Sequence, residues 1–259
     1  MSRPAASHVG PQEWDAEVYH RVSRPQFEWA SEVLERLPLA GDELVLDAGC
    51  GTGRVTALLV QRLPRGKVIG IDASESMVER ARETLGDRAE VRAGSLTELE
   101  LDEPVDAVFS NAVFHWIPDH DLLFRRLHDA LRPRGRLVAQ CGGEGNVAAV
   151  TRAIREVAAR APFAEHLADM ESIWNFSSPA VAEHRLRAAG FERVECWLEQ
   201  KHVVPDEPLE YLATSALGPQ LARLPDAQVR PFVDAVAARM PSPLSFEYVR
   251  LNINARRPE

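Results

Sequence analysis

Asp47, Asp72, Asn111 and His115 are the side chains whose types and positions could do chemistry, because each lies at or just beyond the end of a short apolar run. The first stands in Val45-Leu46-Asp47-Ala48-Gly49-Cys50-Gly51-Thr52-Gly53. Three glycines in five positions cost backbone entropy on folding, so this loop needs unusual φ/ψ angles or the close approach of a ligand to bare backbone. The pattern reads strand, glycine loop, helix. The first N–H groups of such a helix have no partner within it and point at whatever lies over the loop.

Glycine spacing narrows the ligand. A dinucleotide needs G-x-G-x-x-G, whose last glycine lets the helix pack on the strand. Counted from Gly49 the chain gives G-x-G-x-G, and Arg54 occupies the required last position. A phosphate-binding P-loop fits worse, since no Gly-Lys-Ser/Thr follows. An amino-acid-bearing nucleoside fits: its carboxylate and ammonium can meet the loop amides and Asp47.

The elements that must position these residues alternate along the chain. Phe27, Ala30, Leu34 and Leu37 fall on one helical face, closed by Pro38 and Gly41. After the loop, Val55, Leu58, Leu59 and Leu63 continue a helical stripe. Lys67–Asp72 is a buried-type strand, and Ser74 caps a helix whose inner face is Met77, Val78, Ala81 and Leu85. Ala89–Gly94 and Val105–Asn111 are further strands; Leu122, Leu123, Leu127 and Leu131 mark a helix ending at Pro133 and Gly135, before the strand Arg136–Cys141. Such alternation predicts a doubly wound, mostly parallel α/β sheet with ligands at the carboxyl ends of its strands, where Asp47, Asp72 and Asn111 meet. Helices are expected near 147–160 and 178–190, a strand over 193–204, and a helical stretch over 205–245 interrupted at Pro219, Pro225 and Pro241. Phe246–Ala255 alternates as an edge or antiparallel strand does.

Composition bounds the class. The 259 residues suit one α/β domain, divided into an N-terminal helical lid (1–40), a cofactor-binding core (41–142) and cap insertions (143–178 and 205–245). A formal charge of −9 disfavours nucleic acid and anionic membranes, which are met by basic faces. No apolar run approaches the roughly 20 residues of a membrane span, and the first residues lack the apolar core of a secretory signal, so a cytoplasmic protein is expected. Cys50, Cys141 and Cys196 are widely spaced and the histidines show no ligand spacing, so neither disulfide nor metal is expected.

From Val45 to Gly53 the chain resembles the first motif of the class I S-adenosylmethionine-dependent methyltransferases, and Asp72 matches the acid of their second. The resemblance covers Glu43 to Gly142 and implies a Rossmann-like seven-stranded sheet whose last strand, Phe246–Ala255, is antiparallel. It implies S-adenosyl-L-methionine as cofactor, met by Asp47, Gly49, Cys50, Gly51, Gly53 and Asn111, and by Tyr19 and Gln26 from the lid. It also implies that Asp72 holds the ribose diol, a role that suits a carboxylate able to accept two hydroxyl protons. Ala73 and Met77 would lie against the adenine, although Met77 equally suits helix packing. Where many members carry an acid after the third strand, this chain has Ser95 and Leu96.

The segment Phe109 to Asp119 resembles small-molecule methyltransferases of the trans-aconitate type, and lacks the two prolines of enzymes acting on base or glutamine amino groups. His115 is expected near the methyl position, either as a base for a hydroxyl, amine or carbon acceptor or, with Trp116, as a pocket wall. Trp174, Phe176 and Tyr211 are candidate acceptor contacts in the caps, or simply core. The reading is an enzyme moving a methyl group to a small organic acceptor, a carboxylic acid or secondary metabolite, by O- or C-methylation. A nicotinamide-dependent oxidoreductase and a non-catalytic cofactor-binding protein are the alternatives.

Overall fold

The computed structural model describes residues 24–170, 172 and 174–259. Tyr19 lies outside the described residues, as does the side chain of Gln26. Helix α1 (Arg24–Glu35) precedes β1 (Leu44–Ala48), α2 (Thr56–Arg62), β2 (Lys67–Asp72), α3 (Glu75–Leu85) and β3 (Glu90–Ala93). Then come β4 (Val105–Asn111), α4 (His120–Ala130), β5 (Leu131–Gly142), α5 (Ala148–Ala158), the short α6 (Ala164–Leu167) and α7 (Pro179–Ala188). The chain closes with β6 (Glu192–Val203), α8 (Pro208–Leu212), α9 (Gly218–Leu221), α10 (Asp226–Ala237) and β7 (Phe246–Arg256).

The seven strands form one sheet in the order β3-β2-β1-β4-β5-β7-β6. Strands β1 to β5 pair in parallel, and β7 runs antiparallel to both β5 and β6. The order reverses direction between β1 and β4, so the carboxyl ends there open a crevice. Every residue of β1 is buried, because helices cover both faces of a central parallel strand. On one face, Leu123, Phe124 and Leu127 of α4 and Ala182 and Leu186 of α7 close over the strands. On the other, Ala30, Val33 and Leu34 of α1 and Leu59 of α2 meet Val45, Ala107 and Phe109. A separate apolar cluster joins α5, α6 and α8 to α10 with Trp29 and Tyr248.

Local signals act as expected at several helix starts. Ser74 accepts from the Met77 N–H, Ser178 from Val181 and Asp119 from Leu122, each satisfying an orphan amide of the first turn. Two boundaries differ from the sequence reading. Helix α4 ends at Ala130, not at Pro133, because Leu131 already pairs with Val105 at an irregular join in the sheet. Pro219 does not interrupt the last helical stretch: it sits in the first turn of α9, where a missing N–H costs no bond, and wider turns over Ala213–Leu217 link α8 to α9. Strand β7 is not an edge. Strand β6 lies outside it, and α1 covers the face carrying Tyr248 and Arg250, with Trp29 packed against both.

Among the described residues no helix is long and apolar enough to cross a membrane, and no group of His, Cys, Asp and Glu is placed to hold a metal ion.

Candidate functional site

The glycine loop is tied to the strand beside it. The amides of Gly49 and Cys50 both donate to the Ile71 carbonyl, at 2.8 and 3.0 Å. The Gly51 amide donates to Asp72 Oδ2 at 2.8 Å, and the Ser74 amide to Asp72 Oδ1 at 3.0 Å. The Asp72 carboxylate is thereby oriented at the rim of the loop by two backbone donors.

The three glycines do different work. A Cβ on Gly49 would fall 2.0 Å from Val113 Cγ2, so this position must stay bare for the chain after β4 to pack against it. Val113 arrives there because Ala112 turns the backbone at φ 63°, with its N–H bound to the Gln140 carbonyl at 2.7 Å. A Cβ on Gly53 would meet Ala81 Cα and Leu85 of α3 at about 3.1 Å, a close helix contact. Gly51, at φ 52°, has none of the described residues within 4 Å of its Cβ position and alone of the three faces open space among them.

That space is a cleft of about 490 Å³, open to solvent, against which Asp47, Gly49, Cys50, Gly51 and Asn111 lie as expected. Phe27, Thr52, Arg54, Val55 and Phe109 also line it and were not anticipated. Phe27, expected in the core, is only half buried and carries the Arg54 guanidinium 4.1 Å above its ring, joining α1 to the loop. The signal was present in sequence: the long side chain in the last glycine position needed a surface to lie on.

Asp47 is 2% exposed and accepts a 2.7 Å hydrogen bond from the Thr56 hydroxyl. Burial raises its pKa to about 7, with the nearby Asp72 charge adding to the rise. Cys50 packs on Gly70, and burial holds its thiol well above the ordinary range, so it is not a nucleophile. The remaining expected contacts do not line the cleft. Ala73 and Ser95 are exposed, the Ser95 hydroxyl pairing with Thr97 at 2.8 Å, while Met77 and Leu96 are buried.

At the ends of β4 and β5 a second set of residues gathers. His115, in a single turn after β4, is buried, and its Nδ1 accepts the Gly142 N–H at 3.2 Å. Its carbonyl accepts the Asn175 N–H at 2.9 Å, which draws the cap segment down onto the sheet. The His115 ring then lies 5.1 Å from Trp116 and 5.8 Å from Phe176, and Phe176 stacks on Trp174 at 5.4 Å. Burial, with the charges of Arg250 and His120, pushes the His115 pKa well below its usual value. The ring is therefore neutral at physiological pH. With the Nδ1 lone pair engaged, the proton resides on Nε2 and the side chain is a donor, an arrangement that suits the pocket-wall reading of His115 and Trp116 better than that of a base.

Tyr211 does not join this group. Its ring packs on Phe246 in the helical cluster and its hydroxyl meets that of Tyr248 at 2.7 Å. What sequence reading missed is the row behind it. Arg250 is 2% exposed; its Nε donates to Gln140 Oε1 at 3.3 Å, and Gln140 Nε2 donates to Asn252 Oδ1 at 2.9 Å. The alternating polar positions of β7 were its signal, but alternation alone does not show that α1 lies over them.

Residues 45–135 match the family described as Methyltransferase domain. The chain is 32% identical over 238 residues to a trans-aconitate 2-methyltransferase of Variovorax paradoxus, covering 92% of this chain and 88% of that one. It is 36% identical over 187 residues to the trans-aconitate 2-methyltransferase of Methylobacterium nodulans, covering 72% and 67%. Among solved structures, YcgJ of Bacillus subtilis superposes with a TM-score of 0.63 at 16% identity, covering 90% of this chain and 99% of that one. Phosphoethanolamine N-methyltransferase 2 of Haemonchus contortus, in complex with S-adenosyl-L-methionine, gives 0.61 at 19% identity, covering 94% and 57%. At these identities the two structures speak for the fold.

Proposed function

The chain belongs to the S-adenosylmethionine-dependent methyltransferases, and from that membership we propose that it methylates a carboxylate of a small organic acid of the trans-aconitate kind. S-adenosyl-L-methionine is the cofactor, and it supplies a methyl group on a sulfonium: as an acceptor oxygen bonds the methyl carbon, the C–S pair returns to sulfur, leaving a thioether and an ester.

The residues present suit that group. The open backbone at Gly51 gives a donor surface of the right kind, and the buried Asp47 at the cleft can face an ammonium. Asp72, aimed at the rim by the Gly51 and Ser74 amides, is a carboxylate of the kind that accepts from a ribose diol. Phe27 of α1 and Arg54 of the loop close one side of the cleft, which supports reading the segment that contains α1 as part of a lid.

The observation that carries the acceptor class is the His115 hydrogen bond to Gly142. A neutral donor at that position suits an acceptor that is already ionised and requires no base. The rate then comes from alignment and from exclusion of water by the aromatic wall of Trp116, Trp174 and Phe176. The net charge of −9 fits a small acceptor better than a nucleic acid.

The test is incubation of the full chain with S-adenosyl-L-methionine and trans-aconitate, reading ester formation by mass spectrometry. A monomethyl ester formed at a saturable rate is the expected result. Methylation confined to alcohols, amines or carbon acids would overturn the acceptor class. A melting shift with NAD and none with S-adenosylhomocysteine would overturn the cofactor assignment.

A further inference from the structure

Strand β6 is the outermost strand on its side of the sheet, and among the described residues only β7 pairs with it. The outer N–H and C=O groups of such an edge are a template for another strand. Which residues face outward follows from the ladder. The Gly143 N–H donates to the Val249 carbonyl at 2.9 Å, so Val249 turns toward β5, and Arg250 and Asn252 turn toward β6. These two stand opposite Glu199 and Trp197. Leu198, Gln200 and His202 therefore direct their backbone groups away from the sheet.

The first half of this edge is closed from within the chain. Helix α7 reaches over it: Glu183 Oε1 accepts the Cys196 N–H at 3.2 Å, and Arg187 donates to the Val194 carbonyl at 3.2 Å. The second half has no such cover among the described residues, and Leu198, Gln200 and His202 are all exposed. Large apolar side chains gather beside it, with Trp197 and Leu198 each 37% exposed and Val204 56%. Pro205, which has no N–H, stops the edge there.

Charge says what fits. Lys201 meets Glu199 and Glu32 of α1, each at 2.7 Å, so an anion and a cation stand two residues apart on one face of β6. Set two copies of β6 antiparallel with Gln200 opposite Gln200, and Glu199 of each faces Lys201 of the other. Sliding one strand by two residues, the smallest shift that keeps the hydrogen bonds, sets Glu199 against Glu199 or Lys201 against Lys201. Opposite charges across a pair stabilise it and like charges destabilise it, so this strand specifies a register with its own copy.

We propose that the chain forms a two-fold dimer by antiparallel pairing of β6 with β6 of a second copy over residues 198–202, centred on Gln200. The contact is short, which places it among transient interfaces, with a dissociation constant on the order of 1–100 μM. No residue of this edge lines the cofactor cleft, so the dimer stands apart from the choice of acceptor.

The experiment is sedimentation velocity of the full chain from about 1 to 300 μM, a range that brackets such a constant. The wild type should pass from monomer to dimer. Glu199→Lys and Lys201→Glu should each weaken dimerisation at least tenfold, because each sets like charges across the pair. An equal mixture of the two variants should dimerise again: the two new side chains face each other, the two retained ones do too, and both pairs carry opposite charge. Gln200→Pro removes an outward N–H that the β6–β7 ladder does not use, and should abolish the dimer while the monomer stays folded.

A wild-type chain that is monomeric throughout overturns the proposal; slow amide exchange at Leu198, Gln200 and His202 in that monomer would assign the edge to another segment of the same chain. A dimer that survives Gln200→Pro, or a mixture no more dimeric than its components, overturns this interface. Should the charge variants fail to fold, the wild type and Gln200→Pro decide.

Discussion

The two halves of the cleft are built by opposite means. On the donor side, backbone does most of the work: one glycine loop, two strand ends, and a contact between Gly51 and Asp72 only 21 residues apart. On the acceptor side, side chains from distant segments converge, Gly142 on His115 across 27 residues and Arg250 on Gln140 across 110. A backbone site demands glycine at fixed spacing, and so leaves a local pattern. A side-chain site assembled through sheet register demands only that each residue stand on the correct face of its own strand.

The sharpest way to break this contrast is at the loop itself. Gly49→Ala places a methyl group 2.0 Å from Val113 on a residue at φ 91°. Overpacking costs about 1–3 kcal/mol and the left-handed backbone about 1–2 kcal/mol more, so the variant should melt many degrees lower and lose S-adenosylhomocysteine binding in calorimetry. Gly51→Ala, with no described atom within 4 Å of the new methyl, carries only the left-handed backbone cost of about 1–2 kcal/mol at φ 52°, so it should melt less far below wild type than Gly49→Ala while losing affinity. If both variants behaved alike, the division between a packing glycine and a ligand-facing one would be wrong.

Next in size is Asp72→Asn. The neutral amide keeps the shape but loses the charge-assisted acceptors, and hydrogen bonds to charged groups contribute about 1.5–3 kcal/mol. S-adenosylhomocysteine affinity should fall about 10- to 100-fold, while binding of an acid to the acceptor side should not weaken to the same degree. Equal losses on both sides would mean the two halves are not separable.

Asp47 gives a smaller, pH-dependent effect. Its pKa in the folded chain is about 7, against 3.8 for a free side chain. Between these values the folded protein holds a proton that the unfolded chain has released. The unliganded chain therefore loses stability as pH rises from about 4 toward 7, and the loss is complete above 7. An ammonium facing Asp47 favours the ionised form, so S-adenosylhomocysteine affinity should rise with pH by up to about tenfold per unit below 7 and level off above it. Asp47→Asn should flatten both curves, read by melting and by titration between pH 5.5 and 8.

The fold and the donor half were largely legible in the sequence. The run ending at Asp47, the spacing up to Arg54 and the second strand ending at Asp72 each carry a local signal, and the sheet follows from their alternation. Phe27 was misplaced because a helical stripe shows which residues share a face, not where that face ends; its position at the rim depends on where Arg54 lies. Arg250 and Gln140 were invisible for a different reason. Alternating polar residues on a terminal strand do not show what covers them, and only the placement of α1 over β7, with Trp29 on Arg250, makes that face an interior. Tyr211 was drawn to the acceptor side by its chemistry, whereas the apolar cluster of the caps claims it.

The smallest effect is expected where a base would give the largest. If His115 removed a proton, its loss would cost about 10²–10⁴-fold in rate. As a neutral donor its role can be kept by His115→Gln, whose amide oxygen can accept the Gly142 N–H and whose nitrogen can donate in place of Nε2. Turnover of a carboxylate acceptor by this variant should stay within about tenfold of wild type, and the rate should show no limb near pH 6.5 in either protein. The same low pKa has a consequence for stability. Below about pH 6.5 the unfolded chain gains a proton on this histidine that the folded chain refuses, so stability should decline as pH falls through that range, and His115→Gln should remove this part of the decline. A rate loss of several hundredfold with normal cofactor affinity would restore His115 as a base, and the acceptor half would then work by proton transfer rather than by alignment.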